Sequence, residues 1–244
     1  MTQYAITRRT QSWYGEAVGI LILDAAYPCV PGNVGNATSF AFPVRYQEVQ
    51  GASIDRLLNQ ADPDLAEPFI EAARDLERRG VKAITGACGF MALFQREVAA
   101  AVDVPVFLSS LLQIPFIRSI TSRPIGIITA NSARLTTRHF EACGVDALHD
   151  FAIGDMSQKR EFREAVLEEK GTLDSALIER EVVEVARNLQ SENGKLGALL
   201  LECSDLPPYA RALAEAVNLP VFDYVTMINY VGSAFVPAAY SGFM

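Results

Sequence analysis

Twenty residues beginning at Cys88, CGFMALFQREVAAAVDVPVF, are echoed by twenty beginning at Cys203, CSDLPPYARALAEAVNLPVF. An offset of 115 positions lays Cys88 on Cys203, Ala99 on Ala214, Val102 on Val217, and the Pro-Val-Phe at 105–107 on that at 220–222. Upstream, Val18-Gly19-Ile20-Leu21 echoes Ile125-Gly126-Ile127-Ile128 at a slightly different offset, as a difference in loop length would give. Each half reads strand, long helical excursion, strand, Cys, helix, strand. A chain built this way is expected to be α/β, with two pseudo-symmetric lobes, each a mostly parallel sheet flanked by helices. The loops at the carboxyl ends of the strands then line a cleft between the lobes, and the active site is expected there. The expected division is residues 1–118 with 225–244 as the first lobe, carrying Cys88, and 119–224 as the second, carrying Cys203.

The element pattern agrees with that frame. Residues 17–23 (AVGILIL) form a continuous apolar run of strand length, the pattern of a strand buried on both faces. Residues 82–85, 104–108, 124–129, 197–201 and 220–222 follow the same style. Between them lie helical stretches. One begins at Asp62 as N-cap, puts Leu65, Phe69, Ala73 and Leu76 on one face, and stops at Gly80. Strands alternating with helices of this length imply βαβ units.

Composition removes several classes of function. A net charge of −8 is wrong for a nucleic-acid surface, which wants a basic face. Four cysteines in 244 residues are too few for a disulfide-built scaffold. No apolar run approaches the roughly 18 residues of a membrane span. Residues 1–14 are polar, include Arg8 and Arg9, and lack the apolar stretch of a secretory signal. The expectation is a soluble cytoplasmic protein with a small-molecule substrate, and with no nucleic-acid or membrane partner.

Cys88 and Cys203 each follow a short apolar strand and open a helical segment. A thiol there feels the positive end of the helix dipole and free backbone N–H groups, which lower its pKa toward neutrality. A free Cys is otherwise a small hydrophobe, but a matched thiol in each half suits a two-base proton transfer. One thiolate removes a proton from carbon and the opposite thiol returns one to the other face. Zinc is a poor rival, because the four cysteines lie 55 to 60 residues apart with no Cys-x-x-Cys pair. No metal site is therefore expected. Cys29 reads as a loop thiol near the cleft, and Cys143 as a structural residue at a helix C-terminus ahead of Gly144. His139 and His149, the only histidines, lie in no metal or triad spacing. His139 reads as a surface or supporting residue. The loop PGNVG is not a dinucleotide fingerprint, and the four lysines offer no clear Schiff-base anchor. The acidic stretch 161–169 reads as a solvated helix face.

With GACGFMALFQ around the first cysteine and LLLECSDLPPY around the second, the chain resembles the aspartate/glutamate/hydantoin racemase superfamily over nearly its whole length. The resemblance implies two lobes, one catalytic Cys in each, and no cofactor. Glutamate racemases follow the first Cys with Asn-Thr and the second with Thr-His. Here Gly89-Phe90 and Ser204-Asp205 stand instead, which argues against glutamate and is more like hydantoin racemases. The function so implied is that of an isomerase, a racemase or epimerase acting by 1,1-proton transfer at a carbon α to a carboxylate or ring carbonyl of an amino acid, hydantoin or related compound. The alternatives are a one-cysteine decarboxylase or cis–trans isomerase on the same frame (arylmalonate decarboxylase or maleate isomerase type), or a small-molecule sensor without catalysis.

Cys88 and Cys203 are then the catalytic pair. Backbone N–H groups around Gly89 and Ser204 are candidate anion binders. Asn33, Thr129 and Asn131 border the cleft, with Asn131 equally able to cap the next helix, and Phe90 supplies either an apolar wall or core. Arg45 and Tyr46, in FPVRYQEV, either reach a carboxylate or lie on a surface strand; Asp24 ends the first strand as a candidate to orient loop groups or support acid–base chemistry, and Asp205 has no assigned role at this point. The apolar stretch 227–244 packs back on the first lobe or on a partner subunit, and a homodimer is the expected assembly.

Overall fold

A computed structural model describes residues 3–6, 9, 11–145 and 151–244. His149 and Arg8, both named in the sequence reading, lie outside the described residues. The strands are β1 (Val18–Ile22), β2 (Val44–Glu48), β3 (Ala83–Gly86), β4 (Val106–Phe107), β5 (Ile125–Thr129), β6 (Phe151–Asp155), β7 (Ala198–Leu201) and β8 (Val221–Phe222). The helices are α1 (Ala66–Arg79), α2 (Gln95–Ala101), α3 (Ile114–Ile120), α4 (Thr137–Ala142), α5 (Arg160–Phe162), α6 (Ser175–Asn193), α7 (Ala210–Val217) and α8 (Tyr224–Phe235). The strands make two four-stranded sheets, ordered β2-β1-β3-β4 and β6-β5-β7-β8, with every pairing parallel. The second order is the first with four added to each number, so the two sheets share one topology.

The central strands β1, β3, β5 and β7 are the continuous apolar runs read from sequence, and they are buried on both faces. The matched glycines Gly19 and Gly126 make room for helices to pack on the two sheets. A Cβ at Gly19 would meet Leu76 of α1, and one at Gly126 would meet Leu199 and Leu189 of β7 and α6. The sequence reading offered FPVRYQEV, which holds β2, as a surface strand only as one of two alternatives, and passed over β6. Both are edge strands with mixed sequences, VRYQE and FAIGD, because only one side of an edge strand is paired and its apolar run is interrupted.

Asp62 caps the turn Pro63–Leu65 that feeds α1, and Gly80 ends α1 at φ +91°. The stretch 161–169 departs from the expected solvated helix. After α5 the chain makes a wide turn over Arg163–Leu167, and Phe162, Ala165 and Val166 are buried. Glu161 is buried too, accepting from Lys170 Nζ at 2.7 Å and from the Asp174 backbone N–H at 2.8 Å. The paired cations let this acidic run turn inward.

Helix α8 starts at a capping box, with Asp223 accepting from the Thr226 N–H at 2.7 Å. It lies on the first sheet: the Tyr224 hydroxyl donates to the Leu108 carbonyl at 2.8 Å, and Tyr224, Met227 and Ile228 join Val18, Ile20 and Ala83 in one buried cluster. Its far side exposes Tyr230. Among the described residues no helix is long and apolar enough to cross a membrane.

Candidate active site

The carboxyl ends of the four central strands meet between the sheets, and the loops leaving them carry the residues singled out in the sequence. Strand β1 leads into the loop of Tyr27, Cys29 and Asn33, and β3 into Cys88. Strand β5 ends on Thr129, and β7 leads into Glu202, Cys203, Ser204 and Asp205. Hydrogen bonds lock the lobes across this line. The Ser204 hydroxyl donates to the Ala87 carbonyl at 2.6 Å, the Val34 N–H to the Ser204 carbonyl at 3.3 Å, and the Ser110 hydroxyl to the Leu201 carbonyl at 2.9 Å. A cavity of about 280 Å³ opens beside them, lined by Ile22, Tyr27, Cys29, Asn33, Tyr46 and Ala87 among others, with no Lys or Arg in its wall among the described residues.

The second-lobe cysteine has a carboxylate partner. The Cys203 thiol donates to Asp205 Oδ2 at 3.4 Å. Asp205 is fixed from the first lobe by Asn33 Nδ2, which donates to Oδ1 at 2.7 Å, and by the Tyr27 hydroxyl at 3.5 Å from Oδ2. Asn33 is itself held, its Oδ1 accepting from the Gly35 N–H at 2.7 Å. Burial raises the Asp205 carboxyl above its ordinary value, against the pull of these hydrogen bonds. Burial, then Asp205 and Glu202, push the Cys203 thiol well up; burial, then Glu202, push up Cys88, with the Phe90 and Met91 N–H groups pulling the other way. The low-pKa thiols expected from helix ends are therefore outweighed by desolvation and neighbouring carboxylates. A thiolate here requires a positive charge nearby. Cys29, the thiol in the cavity wall, is pushed up to about 11 by burial and Asp205.

Glu202 had drawn no attention in the sequence, where a Glu closing the run LLLE reads as a surface charge. It is fully buried. Its Oε2 accepts from the Thr129 hydroxyl at 2.8 Å, and its Oε1 has no partner among the described residues. Burial raises its carboxyl to about 7, partly offset by Thr129. The sign of the resulting stability change follows from linkage. Between about pH 4.5 and pH 7 the unfolded chain releases this proton while the folded protein keeps it, so stability falls as pH rises through that window. The loss is on the order of 3 kcal/mol. Glu202→Gln should therefore gain stability relative to wild type between pH 5 and pH 8. Chemical denaturation of both proteins at the two pH values checks it, and a pH-independent difference would contradict it.

The other predicted residues divide. Gly89 lies against Glu202, and Ser204 ties the lobes together. Thr129 faces Glu202, not the cavity. Asn131 caps a turn by accepting from the Ala133 N–H at 3.1 Å. Phe90 is 1% exposed and its ring meets His139 edge-on, so it is core and does not line the cavity. His139 is buried rather than superficial; burial lowers its pKa to about 4, and Nδ1 accepts from the Thr136 N–H at 3.1 Å at the start of α4. Arg45 is engaged by Glu16 and lies over Trp13. Cys143 caps the end of α4, buried, ahead of Gly144 at φ +75°. The Asp24 N–H bonds the Ala52 carbonyl at 2.8 Å.

No family model matches the chain. In fold it is similar to unliganded arylmalonate decarboxylase (TM-score 0.60, 14% identity, covering 92% of this chain and 94% of that one). It is also similar to aspartate racemase of Picrophilus torridus (TM-score 0.59, 13% identity, 93% and 96% covered). At these identities the likeness is one of fold alone.

In sequence, the chain is 32% identical over 227 residues to a dimethylsulfoniopropionate lyase of Durusdinium sp. clade D, covering 90% of this chain and 75% of the relative. Dimethylsulfoniopropionate lyases 6 and 7 of Emiliania huxleyi (strain CCMP1516) are each 32% identical, and the chain spans 58% and 65% of their lengths. These relatives overturn the expected racemase or epimerase, and with it the isomerase class. Racemisation and elimination begin with the same proton removal, so a cysteine motif that supplies the base does not reveal what becomes of the carbanion. The chain belongs to the dimethylsulfoniopropionate lyase family.

Proposed function

We propose that this chain is a cofactor-independent lyase that eliminates dimethyl sulfide from dimethylsulfoniopropionate or a close sulfonium analogue, using Cys203 as base. The observation that carries the reading is the Cys203–Asp205 contact, tied through Tyr27 and Asn33 to a cavity whose wall holds no cation among the described residues. The substrate is a zwitterion, with a carboxylate next to the α-carbon and a sulfonium on the β-carbon. A thiolate takes the α-proton, the C–H pair becomes the carbon–carbon double bond, and the C–S bond breaks with its electrons on sulfur. Acrylate and neutral dimethyl sulfide leave, and the proton passes from the thiol to water.

The electrostatics support that substrate class. The sulfonium supplies the positive charge that the raised thiols lack, and Asp205 and the faces of Tyr27 and Tyr46 suit a cation. Asp205 accepts the Cys203 proton as the charge arrives. The N–H groups at Gly89 and Ser204 are the proposed carboxylate contacts, and Cys88 remains in the site as the opposing thiol. The lobe division at 118/119 and 224/225 belongs to the same reading, supported by the repeated sheet order. So does a homodimer, for which the exposed Tyr230 of α8 is a candidate contact.

The test is incubation of the purified protein with dimethylsulfoniopropionate, with headspace dimethyl sulfide and acrylate both measured. Equal amounts of the two products are expected. Absence of both at high enzyme concentration would sink the reading.

A further inference from the structure

The chain leaving β1 closes one side of the cavity, and its hold on the second lobe is slight. Residues 23–36 form neither strand nor helix. Leu23, Ala25, Tyr27 and Cys29 line the cavity, while Asp24, Ala26 and Pro28, which alternate with them, are exposed. This strap is tied at both ends within its own lobe. The Asp24 N–H donates to the Ala52 carbonyl at 2.8 Å, and Asn36 Nδ2 donates to the Cys29 carbonyl at 2.9 Å. Between those ties, among the described residues, two hydrogen bonds leave the strap, and both cross to the second lobe. The Tyr27 hydroxyl stands 3.5 Å from Asp205 Oδ2, at the long limit for a hydrogen bond. The Ala26 N–H donates to Glu169 Oε1 at 2.6 Å, a short bond to a carboxylate.

The second lobe presents that carboxylate on a built turn. Glu169 has φ +51°, the left-handed conformation that a glycine takes freely and a residue with a side chain does not. The turn is pinned beside it: the Lys170 N–H donates to the Glu164 carbonyl at 3.0 Å, and Lys170 Nζ reaches the buried Glu161 at 2.7 Å. A position that favours glycine thus carries a carboxylate, and the carboxylate spans to the backbone of the other lobe. We propose that Glu169 is a positioning residue, the latch by which the second lobe holds the strap 23–29 closed over the cavity and keeps Tyr27 against Asp205. That substrate sits in this cavity rests on the lyase reading; the latch itself is tested without substrate.

Cys29, in the strap, reports on its opening. Its alkylation by iodoacetamide is followed at one pH by peptide mass spectrometry in wild type, Glu169→Gly and Glu169→Gln, together with hydrogen–deuterium exchange of peptides covering 23–29. Glu169→Gly removes the acceptor and also relieves the left-handed backbone, so the fold is expected to hold. It should raise Cys29 alkylation and exchange at 23–29 by about three- to tenfold, the range of one exposed hydrogen bond, with the buried Cys143 unmoved. Glu169→Gln loses the charge but keeps an acceptor for Ala26, and should lie nearer wild type than Glu169→Gly. An unchanged Cys29 rate in Glu169→Gly overturns the proposal. So does equal behaviour of the two variants, which assigns the effect to charge, or exchange that rises through both lobes, which marks general destabilisation. Failure of the lyase reading appears separately, as wild type that releases no dimethyl sulfide.

Discussion

Cys203→Ser is expected to lower dimethyl sulfide release by about 10²–10⁴-fold, the usual contribution of a positioned general base, with the fold retained. A serine hydroxyl keeps the side-chain shape and can donate to Asp205 as the thiol does at 3.4 Å. It does not give up its proton at a pH where the protein is stable, because an alcohol is a far weaker acid than a thiol. Asp205→Asn should cost less, since Asn still accepts a hydrogen bond from Cys203 but takes no proton from it. Cys88→Ser is the informative comparison. Racemisation needs a base on one face and an acid on the other, so either thiol would be indispensable. Elimination ends when the leaving group departs, and nothing has to be protonated from the opposite side. Measurable turnover in Cys88→Ser beside near-complete loss in Cys203→Ser is the expected pattern. Equal loss in both would contradict a single base.

The same distinction shows how far the sequence carries. The repeat around Cys88 and Cys203 was legible because a buried strand, a thiol at its end and an amphipathic helix are local patterns, and duplication writes each of them twice. That was enough for two lobes, a cleft and a thiol on each side. The edge strand β2 was legible only as one of two alternatives because its polar alternation suits a surface, and β6 was lost because its short run FAIGD carries a Gly and ends on an Asp, as a loop does. Glu202 was lost for a deeper reason. A Glu after three leucines looks like the first solvated residue past a strand, and only the Gly89 turn arriving from the other lobe, more than a hundred residues away in sequence, shows that it is buried. Asp205 could be seen as a departure from Thr-His, yet its partners Asn33 and Tyr27 sit in a loop of the first lobe that no spacing rule connects to it. The fate of the carbanion was not legible at all, because it depends on the substrate carrying a leaving group.

Gly89→Ala is expected to be the most damaging of the Gly→Ala changes, costing on the order of 3–5 kcal/mol of stability. Most small-to-large changes in a core are relieved by a side-chain rotation. Here the added Cβ would overlap the Glu202 carboxyl and also stand 2.5 Å from the Glu202 backbone oxygen. The side chain could swing only by leaving Thr129, its partner at 2.8 Å. The backbone oxygen could retreat only by pulling on the end of β7, whose ladder to β5 includes the Glu202 N–H bonded to the Ile128 carbonyl at 2.9 Å. The lobes would have to part at the line where the Ser204 hydroxyl meets Ala87, and Cys88 would move with them. A displacement of about 1 Å there is enough to cost about 10²-fold in turnover. Adding Glu202→Ala to Gly89→Ala removes the side-chain overlap and leaves the backbone one, so the double variant should recover part of the lost stability and not all of it. Urea denaturation of the three proteins measures each step. A single variant within about 0.5 kcal/mol of wild type, the range of an ordinary surface substitution, would mean that the two lobes do not meet at Gly89 and Glu202 as tightly as the structure has them.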